Sequence, residues 1–116
     1  MEKLIKAPKL GSFLNSGYYE MREIPKVGDI YCNINYGAGV IILEVKKYSF
    51  TIGLGVTYQK VGYPQDPIVC CIYRFLRSHY SYVPKNMSLK EYKLLMIDTL
   101  KKQGKKLDYD ALTKNL

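Results

Sequence analysis

Alternation of apolar residues with small or polar ones over residues 50–61 constrains this chain more than any other feature of its sequence. The apolar members are Phe50, Ile52, Leu54, Val56 and Tyr58, and between them lie Thr51, Gly53, Gly55, Thr57 and Gln59. Because successive side chains of a strand point to opposite faces, this period of two predicts a strand with one face on a core. The other face is turned to solvent or a ligand.

Two glycines interrupt this predicted strand. Gly53 and Gly55 indicate a bulge or a sharp bend of the kind that a small barrel needs at its corners. A turn at Gly53-Leu54-Gly55 is the alternative, because glycine is also the residue that tight turns prefer.

Short strands separated by turn signals are predicted on both sides of this segment. Gly28-Asp29 forms a turn before the first of them, and two prolines mark a turn over residues 62–67. The other elements are a strand opening near Ile30, strands over residues 40–46 and 68–72, a helical turn over residues 73–79 and a closing strand over residues 81–83. This order favours a small antiparallel β-barrel over an open sheet.

The C-terminal part of the chain is predicted to be helical. Ser88 and Glu91 have the spacing of a capping box, and Gly104 ends the helix. The apolar arc of this helix is broad, because Leu94 lies off the main stripe. Packing on the barrel explains the stripe, and contact with a partner or a second copy explains the excess. The residues of that contact are Leu94, Ile97 and Lys101.

Together these patterns predict a mainly β fold of the α+β type with three parts. The parts are an N-terminal arm over residues 1–25, a small β-barrel over residues 26–83 and a helical extension over residues 84–116 that packs on the barrel. A chain of 116 residues is long enough to bury one modest core without metals or disulfides.

The motif order in residues 27–83 is similar to that of a family of short phage and prophage proteins of unknown function. The motifs are Gly28-Asp29-Ile30-Tyr31, Val45, Val56-Thr57-Tyr58, Gly62-Tyr63, Cys70, Phe75-Leu76 and Tyr82-Val83. The resemblance implies an SH3-like barrel with a short helical turn before its last strand. It also implies an origin in a phage or other mobile element and a place in the bacterial host cytoplasm, but no established activity.

Basic residues outnumber acidic ones by eighteen to ten, which gives a formal charge of +8. This excess favours anionic partners, namely nucleic acid, an acidic protein surface or anionic lipid, and lysines that serve solubility alone are the alternative. The longest apolar block, residues 40–43, is too short to cross a bilayer, so no membrane partner is predicted. Cys32, Cys70 and Cys71 are predicted to be free thiols in a reducing cytosol.

The sequence predicts no catalytic residues, no metal site and no cofactor. His79 is the one histidine and is expected to be structural, and no Cys-x-x-Cys motif occurs. Cys70 and Cys71 are adjacent, so on a strand they face opposite sides as small apolar residues. Nothing in the sequence supports a dyad of either thiol with His79. The chain is therefore predicted not to be an enzyme.

Tyrosines and cations are concentrated in the second half of the predicted barrel. Aromatic rings stack on bases while Lys and Arg hold phosphates, a combination found on single-stranded nucleic acid. Tyrosine is also well suited to protein interfaces. For Tyr58 and Tyr73 the alternative is packing in a core that has no tryptophan. The predicted nucleic-acid or partner contacts are Tyr36, Tyr58, Lys60, Tyr63, Tyr73, Arg74, Arg77 and Tyr82.

Three functions follow from these residues. The first is a non-enzymatic phage-type module that binds nucleic acid or a nucleoprotein, with Tyr36 and Tyr63 on bases and Lys60, Arg74 and Arg77 on phosphates. The second is an anti-CRISPR-like or other inhibitor that covers the surface of a host defence protein. The third is a virion or assembly component that oligomerises through the helical arc around Leu94.

Overall fold

The computed structural model of the chain describes residues 3–13 and 17–114. These residues are mainly β, with two antiparallel sheets and a few helices, which confirms the predicted fold class. The strands are β1 (Leu4–Pro8), β2 (Tyr19–Glu23), β3 (Ile30–Asn33), β4 (Gly39–Lys47), β5 (Leu54–Lys60), β6 (Ile68–Cys71) and β7 (His79–Ser81). The helices are α1 (Ile72–Ser78), α2 (Leu89–Lys102) and α3 (Tyr109–Thr113).

The larger sheet has the strand order β6-β5-β4-β3-β7. Strands β3 to β6 form a meander, and the chain then returns through α1 so that β7 pairs with β3. Between residues 17 and 114 no ladder joins β6 to β7, so the sheet is open. The predicted SH3-like barrel is therefore not confirmed, and separate elements cover the two faces of the open sheet. The β1–β2 hairpin and α1 cover one face, and α2 and α3 cover the other.

The first half of β4 is buried on both of its faces. Val40 and Ile42 face the first core, which Phe75 of α1 completes. Ile41 points to the second core, where it meets Leu100 of α2. Burial on two sides explains why this strand reads as a continuous apolar run instead of an alternating one.

The N-terminal arm is docked on α1 through its hairpin. Ala7 of β1 is fully buried in the first core. The amide of Gly11 donates to the carbonyl of Arg77 at 2.7 Å, and Nε of Arg77 donates to the carbonyl of Ser12 at 2.6 Å. These reciprocal bonds fix the end of the hairpin to the last turn of the helix.

The strand predicted over residues 50–61 is shorter than its alternating pattern. Strand β5 begins at Leu54, and the predicted core residues Phe50 and Ile52 lie in a turn with 70% and 86% of their surface exposed. The cause is local: the Thr51 hydroxyl accepts from the amide of Tyr48 and lies 3.1 Å from the carbonyl of Gly53. These contacts close a turn that the period of two does not reveal.

The bulge lies in β4, not in the strand where glycines predicted it. The register changes between Ile42, which is opposite Tyr58, and Glu44, which is opposite Thr57. Gly55 instead allows a close approach, since a Cβ atom there would lie 2.5 Å from the ring of Tyr48. A side chain at position 55 would therefore clash with the ring of Tyr48.

The predicted helical turn over residues 73–79 is confirmed as α1. The closing strand, however, begins earlier than the predicted residues 81–83, because the ladder pairs Asn33 with His79 and Tyr31 with Ser81.

Helix α2 begins and ends as its sequence signals predict. The hydroxyl of Ser88 accepts from the amide of Glu91 at 3.1 Å. Gly104 takes a φ of +77°, and its amide donates to the carbonyl of Lys101 at 3.0 Å.

The predicted partner surface of α2 is only partly accessible. Leu94 is half exposed, and the ammonium of Lys101 lies 5.1 Å from the ring centroid of Tyr109. Ile97, in contrast, is buried in the second core with Leu112. The expectation that Ile97 contacts a partner is therefore wrong, because the helix turns that side to the sheet.

Candidate functional site

Lys60, the last residue of β5, lies between two exposed tyrosine rings. Its ammonium is 5.8 Å from the ring centroid of Tyr36 and 5.8 Å from that of Tyr63. Tyr36 has 74% of its surface exposed and Tyr63 has 40%. We call these three residues the lysine–tyrosine cluster. All three were predicted from the sequence to contact nucleic acid or a partner, and the structure brings them together.

A side-chain turn holds Tyr36 at this position. The side-chain oxygen of Asn33 accepts from the amides of Asn35 and Tyr36, at 2.8 and 3.1 Å. Such a turn fixes the backbone without a strand partner. Because Val40 at the start of β4 is opposite Lys60, the turn is carried to the same end of the sheet as the lysine.

Two glutamines anchor the loop that carries Tyr63. Nε2 of Gln59 donates to the carbonyls of Lys60 and Gln65, at 3.0 and 2.9 Å. From α2, Nε2 of Gln103 donates to the carbonyl of Tyr63 at 3.3 Å, and its Oε1 accepts from the amide of Gly62 at 3.2 Å. The loop is thus held from the sheet on one side and from the helix on the other.

Replacement of Gln59 by leucine is expected to destabilise the protein and loosen this loop. The side chain is fully buried, and its loss removes a donor from two carbonyls, of which that of Gln65 keeps the ammonium of Lys105. Its Oε1 has no partner in the described structure, and removal of that atom offsets part of the loss. We expect a cost of about 1–2 kcal/mol, seen in thermal denaturation as a fall in Tm of roughly 4–8 °C.

The matched control is Gln65→Leu, because in the described structure Gln65 holds the loop through its backbone carbonyl. That variant should keep the wild-type Tm. If both variants melt alike, the side chain of Gln59 does not anchor the loop.

The cluster combines one cation with two π-faces. An ammonium within about 6 Å of an aromatic centroid is attracted by the ring, which restrains the lysine in the space between the two tyrosines. A second lysine is bound to the loop that carries Tyr63. The ammonium of Lys105 donates to the carbonyls of Pro64 and Gln65, at 2.9 and 2.8 Å. The arrangement suits a ligand with a flat ring and a negative charge.

The other five predicted contact residues lie elsewhere. Tyr58 is buried in the first core, beside Phe75 and His79, and burial raises the pKa of its phenol to about 12. The expectation that Tyr58 contacts a ligand is wrong, because its register opposite Ile42 turns it inward. Tyr82 is 37% exposed and stands edge-on to Tyr92.

Arg77 binds within the chain. Its guanidinium Nε donates to the carbonyl of Ser12, so its side chain is committed to the arm. Tyr73 and Arg74, the remaining predicted residues, line a groove at a different place on the molecule. The lysine–tyrosine cluster therefore contains three of the predicted residues, and the groove contains two.

This apolar groove, of about 790 Å³, lies between the hairpin β1–β2, the turn before β5 and the segment from β6 into α1. Its principal lining residues are Lys6, Tyr19, Phe50, Ile52, Val69 and Arg74. The sequence pattern does not reveal this groove, because it assigns Phe50 and Ile52 to the core face. The one signal in the sequence is Gly53, which indicates that the regular strand is interrupted near these two residues.

His79 and Cys70 are held in structural environments. His79 stacks on Phe75 with centroids 4.2 Å apart, and Nδ1 donates to the carbonyl of Phe75 at 3.0 Å. Burial lowers the pKa of this imidazole below its ordinary value. Burial also raises the pKa of the Cys70 thiol to about 11, which leaves it protonated and weakly nucleophilic at neutral pH.

No protein family, curated protein or solved structure matches the chain. The resemblance to phage and prophage proteins therefore stays a prediction. Over residues 3–13 and 17–114 no three His, Cys, Asp or Glu side chains are grouped to hold a metal ion. Within the same residues, no helix is long and apolar enough to cross a membrane.

Proposed function

We propose that this protein is a non-enzymatic module that binds single-stranded nucleic acid, free or within a nucleoprotein, through the lysine–tyrosine cluster. The observation that carries the proposal is the ammonium of Lys60, equidistant from the two exposed rings of Tyr36 and Tyr63. Unstacked bases offer the flat faces that these rings can accept, and the neighbouring phosphate offers the charge that the lysine can accept.

The expected energies make this cluster sufficient for weak but measurable binding. Stacking of one base on an aromatic side chain contributes about 1–3 kcal/mol. Two exposed rings and a lysine therefore give a local site, and the formal charge of +8 adds long-range attraction for a polyanion. Because the electrostatic part depends on released counterions, affinity should fall with salt.

Binding of fluorescent single-stranded DNA and RNA, measured by anisotropy, tests the proposal. Tyr36→Ala and Tyr63→Ala should each weaken binding by about tenfold, since each removes one stacking face. Lys60→Gln should weaken binding and also reduce the slope of log affinity against log salt by about 0.7, because one phosphate contact is lost.

Two variants serve as controls for these changes. Phe50→Ala removes an exposed aromatic ring, and Lys90→Gln removes an exposed lysine, both outside the cluster. Neither should change the affinity. Absence of binding at about 50 mM salt, where electrostatic attraction is strong, would contradict the proposal. Equal losses in the cluster and control variants would contradict it as well.

We also propose that residues 26–83 are an open relative of the SH3-like barrel, of phage or mobile-element origin, and that the protein acts in the bacterial cytoplasm. The support is the meander β3 to β6, followed by the short helix α1 and by a last strand that pairs with the first. The motif order of the phage and prophage family has the same succession of elements.

A further inference from the structure

The apolar groove has features that the lysine–tyrosine cluster lacks. Its outer wall is the turn that carries Phe50 and Ile52, which are 70% and 86% exposed. Small-molecule sites enclose most of their ligand, whereas walls this exposed form an open surface channel. Two large apolar side chains at the tip of a turn, facing a third at Val69, are typical of a protein-binding surface.

The charged side chains that line the groove are cations. Lys6 and Arg74 line it, and among the residues that the structure describes no Asp or Glu does so. The ammonium of Lys6 lies 5.6 Å from the ring centroid of Tyr19, so one cation is restrained at the hairpin wall. Arg74 is exposed at the start of α1. An occupant with apolar side chains and carboxylates is therefore complementary to the groove.

The floor of the groove includes a sheet edge. Val69, Cys70 and Cys71 belong to β6, whose only strand neighbour in the described part of the chain is β5. Edge strands present backbone donors and acceptors to an extended segment, and successive side chains of that segment then point to opposite faces of the sheet.

We propose that the apolar groove docks an extended peptide segment of a partner protein, in which apolar side chains alternate with Asp or Glu. The apolar side chains lie against Phe50, Ile52 and Val69, and the carboxylates meet Lys6 and Arg74. The backbone of the segment adds to the free edge of β6. This partner site is separate from the nucleic-acid site and does not depend on it.

The two sites lie at opposite ends of one strand. Lys60 is the last residue of β5, while Phe50 and Ile52 belong to the turn that precedes its first residue, Leu54. Seven residues of strand span about 20 Å. Variants of one site therefore leave the other in place, which makes failure of either proposal distinguishable.

Selection of random short peptides on the immobilised full chain tests the groove. The enriched peptides should alternate apolar and acidic residues, and the best of them, labelled with a fluorophore, serves as the probe. Ile52→Asp should weaken its binding at least about tenfold, since it places a charge in an apolar contact. Arg74→Glu should weaken it about fivefold by reversing the charge that meets the carboxylate.

Matched controls on helix α2 separate the groove from general surface effects. Leu94→Asp introduces the same charge at another exposed apolar residue, and Lys90→Glu reverses another exposed cation. Both should retain the affinity of the wild-type chain. Ile52 is exposed, so its variant should also keep the wild-type Tm and remain folded.

Several outcomes would overturn this proposal. They are selection without a consensus, enrichment of basic or purely polar peptides, and binding that the groove variants do not change. If light scattering shows a concentration-dependent dimer that Ile52→Asp dissociates, the groove binds a second copy of the chain instead. If single-stranded DNA or RNA displaces the labelled peptide, the groove binds nucleic acid instead.

Discussion

Phe75→Ala is expected to lower the free energy of unfolding by about 3–5 kcal/mol, the largest effect of any single substitution considered for this protein. The side chain is 1% exposed and is surrounded by three other rings. It is edge-on to Tyr31 at 5.1 Å, tilted against Tyr58 at 5.1 Å and stacked on His79 at 4.2 Å. Removal of the central ring leaves a cavity that these rigid neighbours cannot fill.

The loss should be cooperative because α1 depends on this ring. A helix of seven residues is too short to be stable alone, and its buried side chains supply most of its stability. Thermal denaturation should show a fall in Tm of roughly 12–20 °C. Total stability of a domain this size is about 5–15 kcal/mol, so the variant is folded only marginally.

Phe50→Ala is the matched control, because it makes the same chemical change at an exposed ring. Its cost should stay within about 0.5 kcal/mol. Phe75→Leu should fall between the two, since leucine keeps most of the apolar volume but loses the ring contacts. Equal stability of Phe75→Ala and Phe50→Ala would show that the ring cluster does not hold the fold together.

Elements whose determinants are local in sequence could be predicted. The start of α2 depends on Ser88 and Glu91, which are three residues apart, and its end depends on a glycine that tolerates a positive φ. The turn at Gly28 is of the same kind, with the Asp29 side chain accepting from the amide of Lys26 at 2.8 Å. In each case the partners lie within one turn of chain.

Strand length and sheet closure could not be predicted in the same way. A period of two indicates an extended chain but does not mark where pairing stops, so Phe50 and Ile52 were placed on a core face. Their exposure follows from the bonds of Thr51, which compete locally with the ladder. Closure depends on which elements cover the sheet, and the hairpin that covers one face is distant in sequence from the strands that it covers.

The candidate site was predictable in part for a similar reason. Tyr58 belongs to the apolar set of the alternating segment and Tyr63 to the turn with two prolines, but these patterns alone do not fix the exposure of either ring. The register opposite Ile42 buries Tyr58, whereas the loop anchored by Gln103 leaves Tyr63 exposed. The groove escaped prediction because its walls come from three segments that are far apart in sequence.

Arg22 is a residue that sequence reasoning overlooked, and Arg22→Met is expected to cost about 2–4 kcal/mol. Its guanidinium reaches from β2 across to the end of α1. Nη1 donates to the carbonyl of Leu76 at 2.7 Å, and Nη2 donates to the carbonyl of His79 at 2.9 Å. Its side chain is 17% exposed, so water replaces these bonds only in part.

The substitution should loosen the hairpin more than the main sheet. The Leu76 carbonyl lies in the last turn of α1, where a short helix cannot satisfy its own acceptors. Without the arginine, that turn loses a charged donor and the hairpin loses one of its links to the helix. We expect a fall in Tm together with faster amide hydrogen exchange at Gly11, whose amide donates to the carbonyl of Arg77.

Two further variants decide whether geometry or charge is responsible. Arg74→Met makes the same change at an exposed position of α1 and should cost less than about 0.5 kcal/mol. Arg22→Lys keeps the charge but loses the planar fork that serves two carbonyls at once, so its cost should lie between the other two. Equal losses in Arg22→Lys and Arg22→Met would show that the fork is needed. A loss in Arg22→Met no larger than that in Arg74→Met would mean that burial of Ala7 and the bonds between Arg77 and the arm dock the hairpin without Arg22.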